Sequence, residues 1–130
     1  MRPSLAFSIG AVIAVASGSA FALAPAQMLS AFGVGTPTEA LIVMRDGGIT
    51  LTGVGIINWL ARHATGAPLR AVLWGNIFIY VVDGLVNAWE IVAGLIPPGV
   101  APASLIIALA VVIMYASALR AHQARPIATA

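Results

Sequence analysis

Long apolar stretches, separated by short polar or proline-containing segments, run through the whole chain. Their lengths predict transmembrane helices, because about 20 residues rising 1.5 Å each cross the ~30 Å hydrocarbon core of a bilayer. Short connections between long helices imply antiparallel neighbours. We therefore expect one all-α domain over residues 1–130, a four-helix up-down transmembrane bundle. The predicted helices cover about residues 4–24, 37–63, 69–95 and 102–120.

Local signals support these boundaries. Thr36, Pro37 and Glu39 predict a capping box at the start of the second helix. Before it, residues 26–32 predict a short amphipathic turn at the membrane interface. The second helix is expected to stop at Thr65–Pro68, where glycine and proline follow its last turn.

The first apolar stretch has two interpretations. A basic residue, an apolar run and small residues around position 22 are also typical of a cleavable signal peptide. The run is longer than a usual signal core, and Gly10, Ala14 and Gly18 form a ridge of small residues suited to close helix packing. We expect a retained first helix, and the signal peptide stays open as the alternative.

Composition agrees with a membrane protein. The chain is 61% hydrophobic and only 8% charged, with a mean hydropathy of +1.04, outside the usual range of soluble domains. It has no cysteine, which excludes disulfides and thiolate chemistry. A net charge of +2, carried by dispersed arginines, argues against nucleic-acid binding and leaves the lipid bilayer as the expected partner.

The arginines are distributed unequally between the two sides of the predicted bundle. One side carries only Arg45, which lies inside the second helix. By the positive-inside rule, we expect a multi-pass protein of the inner cell membrane with both termini cytoplasmic. The five arginines on the predicted cytoplasmic side are Arg2, Arg62, Arg70, Arg120 and Arg125.

A stripe of polar residues follows the third predicted helix. Its members recur at spacings of three and four residues and therefore share one helix face: Asn76, Tyr80, Asp83, Asn87 and Glu90. Polar groups at membrane depth are costly, so this face should meet protein or trapped water.

Depth matching of the second and third helices predicts contacts for this stripe. Arg45 falls level with Glu90, Asp46 falls near Asn87, and Asn58 falls opposite Asn76. We expect a partly buried Arg45–Glu90 ion pair and an interhelical contact between the two amides.

The second helix also has a face of small residues, Gly48, Thr52 and Gly55, expected to allow close packing. One interpretation makes this face the packing seam against the third helix. The other makes it the wall of a polar cleft that admits an ion, a proton or a lipid head group.

Among the residues of the stripe, Asp83 is the one that most strongly indicates a function. It lies near mid-bilayer, where a charge costs about 2.5–3.5 kcal/mol on insertion scales. The facing level of the second helix offers threonine hydroxyls but no cation. We therefore expect Asp83 to be largely neutral.

Other chemistry is poorly supported by the sequence. His63 and His122 fall at predicted helix ends and lack the further ligands that a metal or haem site needs. No phosphate-binding loop, zinc motif or nucleophile with a paired base occurs. We predict no cofactor and no metal, and we consider an enzyme less probable than a non-enzymatic protein.

The run Arg45-Asp46-Gly47-Gly48, followed by Gly55, Asn58, Trp59 and Arg62, resembles small uncharacterised bacterial four-helix membrane proteins with a DoxX-like layout. The resemblance implies the four-helix fold and carries over Arg45, Gly48 and Gly55. It implies no established activity, substrate or cofactor.

Three functions compete. The first is a structural or accessory membrane component, either a homo-oligomer or a subunit of a larger complex. The second is a proton- or ion-linked carrier of small solutes that uses Asp83 and Glu90 in a cleft between the second and third helices. The third is a lipid or quinone head-group binder that uses Arg45.

Overall fold

Helices account for all of the regular secondary structure in the described residues of the computed structural model, which are 1–95 and 101–123, with side chains of 101–104 excepted. The helices are α1 (Pro3–Leu23), α2 (Pro25–Ala31), α3 (Thr38–Ala61), α4 (Gly66–Val92) and α5 (Ala101–Gln123). Four of them are long and apolar enough to cross a membrane, and α2 is a short helix in the first loop. The all-helical class and the four candidate spans are therefore confirmed.

The capping box expected at the start of α3 is not formed. Pro37 occupies the N-cap position in an extended conformation, and no side chain hydrogen-bonds to the free N–H groups there. The carbonyl of Pro37 accepts the first helical bond from Leu41 at 3.1 Å. Because proline stands one position earlier than predicted, Thr36 lies outside the helix and cannot act as its cap.

The bounds of α4 differ from the prediction at both ends. The helix begins at Gly66 instead of residue 69. Pro68 permits this earlier start, because it lies in the first turn, where its missing N–H breaks no helical bond. It stops at Val92 instead of residue 95. Gly94 takes a φ of 70°, and Leu95 donates to the Glu90 carbonyl at 2.9 Å, which together form a Schellman cap.

The long helices pack mainly in two pairs, α1 with α3 and α4 with α5. Contacts between α3 and α4 are few, although these helices are consecutive. A buried apolar cluster joins the start of α1 and the start of α4 to the second half of α5. Its largest members are Phe7, Leu69, Leu73, Tyr115 and Leu119. The packing core therefore lies towards one end of the bundle.

Candidate functional site

The most deeply buried polar contact joins α3 to α4. Asn76 donates to the amide oxygen of Asn58 at 2.7 Å, and Asn58 donates back to the amide oxygen of Asn76 at 3.0 Å. The two side chains are 0% and 4% exposed for Asn58 and Asn76, respectively. Each amide thus serves as donor and acceptor for the other, which fixes the relative height of the two helices.

The remaining N–H groups of this pair are also bonded. Asn58 donates its second N–H to the Tyr115 hydroxyl of α5 at 3.0 Å, and Asn76 donates its second N–H to the Val72 carbonyl at 2.8 Å. No buried side-chain nitrogen or oxygen among the described residues lacks a hydrogen-bond partner. A fully bonded polar network stabilises one arrangement, whereas a partly bonded one would destabilise it.

Gly10 brings a fourth helix, α1, against the network formed by α3, α4 and α5. A methyl group built on Gly10 would overlap the Tyr115 hydroxyl, so only glycine leaves room for it. The Tyr115 ring lies between Phe7 and Tyr80, with centroids 6.0 Å and 6.3 Å away. We call Gly10, Asn58, Asn76 and Tyr115 the polar hub, because each residue comes from a different long helix.

The sequence patterns do not predict Tyr115 as part of this network. The signal was available, because a tyrosine hydroxyl within an uncharged membrane helix needs a hydrogen-bond partner. Which helix supplies that partner depends on rotations that the sequence does not specify.

The glycine face of α3 packs on α1. A Cβ added at Gly48 would lie 2.5 Å from the Ala22 nitrogen and 2.6 Å from the Gly18 carbonyl oxygen of α1. At Gly55 it would lie 2.9 Å from the Val15 nitrogen. Thr52 donates its hydroxyl to the Gly48 carbonyl at 2.9 Å and borders the same contact. The interpretation of this face as the seam against the third predicted helix, α4, was wrong, since these residues contact α1.

The other polar residues of α4 lie on a more open surface. Asp83 is exposed, while Asn87 and Glu90 are half-buried. Asn87 donates to the backbone carbonyl of Asp83 at 2.8 Å, one turn earlier in the same helix. Asp83 therefore lies on the outside of the protein, about two thirds of the way along the candidate membrane span Gly66–Val92.

Arg45 and Asp46 of α3 are exposed as well. The Nε of Arg45 lies 3.4 Å from the Ala22 carbonyl oxygen, a long hydrogen bond. Arg45 is 13 residues before Asn58 and Glu90 is 14 residues after Asn76, so each lies roughly 20 Å along its helix from the bonded amides. Arg45 and Glu90 therefore share a level, yet the structure does not join them in an ion pair, because α3 and α4 make few contacts.

A basic cavity opens at the end of the bundle near the packing core. It has a volume of about 720 Å³ and is lined by the start of α1, the end of α3, the start of α4 and the end of α5. His63 and His122, singled out from the sequence, both line it. Across the described chain, no group of three or more His, Cys, Asp or Glu residues is placed to hold a metal ion. The arginines and histidines of the lining are Arg2, Arg62, His63, Arg70 and His122.

Comparisons with protein-family models, with curated proteins and with solved structures give no match for this chain.

Proposed function

We propose that the protein is a structural or accessory membrane component that works as a homo-oligomer. The observation that carries this proposal is the exposure of ionisable side chains within candidate membrane spans. Asp83 and Arg45 are both exposed, and each sits several residues inside its helix. The proposal assigns no catalytic role to any residue.

Leaving these ionisable groups in contact with lipid is energetically costly. A charged side chain near the centre of a membrane helix costs about 2.5–3.5 kcal/mol on insertion scales. Pairing with an opposite charge, or cover by another polar protein surface, lowers that cost. Within one chain α3 and α4 make few contacts and no ion pair joins Arg45 to Glu90, so a second chain is a natural source of partners.

Symmetry strengthens the case for a second copy of the same chain. A two-fold dimer whose axis is parallel to the membrane normal keeps every residue at its own depth, so contacting residues must share a level. Arg45 and Glu90 have opposite charges and lie at matched distances from the hub. One dimer contact would then be made twice, with Arg45 of each copy against Glu90 of the other.

Charge reversal in two differently labelled copies tests this proposal. Arg45→Glu and Glu90→Arg should each weaken self-association in liposomes, measured by energy transfer between donor- and acceptor-labelled protein. Mixing the two variants should restore it, because each glutamate of one variant then faces an arginine of the other. Restoration between separate chains is the result that an ion pair within one chain cannot produce.

Arg120→Glu is the matched control, since Arg120 is exposed in the last turn of α5 and far along the chain from both positions. It should leave energy transfer unchanged. The proposal is overturned if the wild-type protein shows no energy transfer above that of a non-associating membrane protein at equal density, or if the mixed variants associate no better than each alone.

The same proposal places the chain in the inner cell membrane as an up-down bundle with both termini cytoplasmic. Support comes from the basic cavity, to which α1 and α4 bring their first residues and α3 and α5 their last. The chain has no cysteine of its own, so an introduced single cysteine is the one labelling site in the purified chain. In intact cells, an impermeant maleimide should label Thr36→Cys and should label Thr65→Cys only after permeabilisation; the reverse pattern would contradict the orientation.

A further inference from the structure

We infer that the basic cavity binds the phosphate group of an anionic ligand. Three arginines and two histidines line the cavity, and no aspartate or glutamate does. The four acidic residues of the chain are Glu39, Asp46, Asp83 and Glu90, all away from this lining. Among the described residues, the lining therefore concentrates positive charge without an acidic side chain, and arginine is the side chain best suited to phosphate recognition.

Arg62 is held in place for such a role. Its guanidinium group lies 3.9 Å from the centre of the Trp59 ring, and one terminal nitrogen donates to the Trp59 carbonyl at 2.6 Å. Arginine has five N–H donors in a planar fork, so most of them stay available to a ligand. A side chain that is already ordered loses less conformational entropy when it binds.

The starts of α1 and α4 add to the positive potential. Both helices begin at the cavity, with Arg2 and Thr65 as their N-cap residues, and neither end is capped by a side chain. Free N–H groups and the helix dipole favour an anion at such an end. The ends of α3 and α5 oppose this effect with their carbonyl groups, and Arg62 offsets one of them by bonding the Trp59 carbonyl. The arginines therefore supply the main attraction.

The position of the cavity favours a phosphate at the membrane interface. It lies at the ends of four helices that are apolar enough to cross a membrane, where lipid head groups are found. Basic pockets between transmembrane helices are typical sites for anionic lipid head groups. A free phosphate ion has the same recognition chemistry, so the experiment must separate the two sources.

The test compares lipid retention by the whole protein in native mass spectrometry. Detergent-solubilised protein is mixed with phosphatidylglycerol or with phosphatidylcholine, which is zwitterionic. The wild type should retain phosphatidylglycerol preferentially. Arg70→Gln should reduce this retention about tenfold, the change expected from losing one charge-assisted hydrogen bond. Arg70 is exposed, so its replacement should leave the fold intact, which thermal unfolding of the variant checks.

Arg120→Gln is the matched control, because Arg120 is an exposed arginine near the same end that does not line the cavity. It should keep retention within about twofold of the wild type. Equal losses in Arg70→Gln and Arg120→Gln would overturn the inference, because they would indicate diffuse attraction to a basic surface.

A second arm adds inorganic phosphate at millimolar concentration. If phosphate displaces phosphatidylglycerol and raises the unfolding temperature in the wild type but not in Arg70→Gln, the ligand source is soluble. If phosphate has no such effect while retention of phosphatidylglycerol depends on Arg70, the source is lipid. The inference is overturned if the wild type neither retains phosphatidylglycerol preferentially nor responds to inorganic phosphate.

Discussion

Asn58 of α3 and Asn76 of α4 hydrogen-bond to each other through both of their side-chain amides, at 2.7 and 3.0 Å. The two residues are 18 positions apart in the chain and lie in helices that otherwise make few contacts. In a membrane, apolar side chains gain little by leaving lipid for protein, so interhelical hydrogen bonds and close packing have to hold the bundle. This amide pair is the main link between α3 and α4.

Replacing Asn58 by leucine should destabilise the protein by about 1–3 kcal/mol, because the Asn76 amide loses a donor and an acceptor while it stays buried. The double variant Asn58→Leu/Asn76→Leu should cost less than the sum of the two single variants, since no unpaired amide remains. Reversible unfolding in mixed detergent micelles measures all three. Strict additivity would show that the two amides act independently.

The hydroxyl of Tyr115 has a smaller predicted effect. Tyr115→Phe keeps the aromatic contacts with Phe7 and Tyr80 but leaves one Asn58 N–H without its acceptor. We expect a loss of about 1 kcal/mol in the same unfolding assay. Tyr80→Phe is the matched control and should change stability less, because Tyr80 meets the hub through its ring. An equal loss in both variants would indicate a general sensitivity to tyrosine hydroxyls.

Gly10 should tolerate no side chain. A methyl group there would overlap the Tyr115 hydroxyl and lie 2.9 Å from the ring carbon that carries it, so the buried Tyr115 side chain or one of the helices α1 and α5 must shift. We expect Gly10→Ala to destabilise the protein by about 1–3 kcal/mol, the usual range for an overpacked contact. Gly75→Ala is the control, because nothing lies within 4 Å of its added methyl group. A neutral Gly10→Ala would contradict the close approach of α1 and α5.

The close packing of α3 on α1 leads to a similar prediction for Gly48, where an added methyl group would meet a different kind of atom. The added methyl group would meet backbone atoms of α1, and backbone cannot rotate away as a side chain can. Gly48→Ala should therefore separate the two helices and lower the unfolding temperature. Gly53→Ala, with open space around its added methyl group, should be neutral or slightly stabilising, because alanine favours helix by up to about 1 kcal/mol over glycine. Similar losses in both would contradict the packing described.

The level of a residue along its helix could be predicted from the sequence, but the direction in which its side chain points could not. Counting residues at a constant helical rise brings Asn58 and Asn76 to one level, and the structure has their amides in contact. Counting says nothing of the rotation of each helix or of which helices pair. For that reason the glycine face of α3 was assigned to the wrong neighbour, and Arg45 and Glu90 share a level without forming the expected ion pair.

The hydrogen bond between Tyr115 and Asn58 could not be predicted from the sequence for a related reason. Its partner Asn58 is 57 positions away, and no pattern within α5 points to that helix. The helix bounds were closer to the prediction, because proline and glycine act on the backbone within a few residues. Even there, Pro37 and Pro68 moved the starts of α3 and α4 from their expected positions.

A substitution at Asp83 distinguishes an assembly function from a carrier function. If the protein is a structural component, Asp83→Asn should leave proton flux in proteoliposomes unchanged, because a neutral amide replaces a carboxyl group that no facing cation holds. Stability should not decrease, because the amide removes a carboxyl group whose charged form is costly against lipid. A carrier that depends on Asp83 and Glu90 would lose uptake driven by a pH gradient. Internal pH, followed with a trapped fluorescent dye, distinguishes the two outcomes. Glu39→Gln, which removes an exposed acid at the start of α3, controls for a general loss of negative charge.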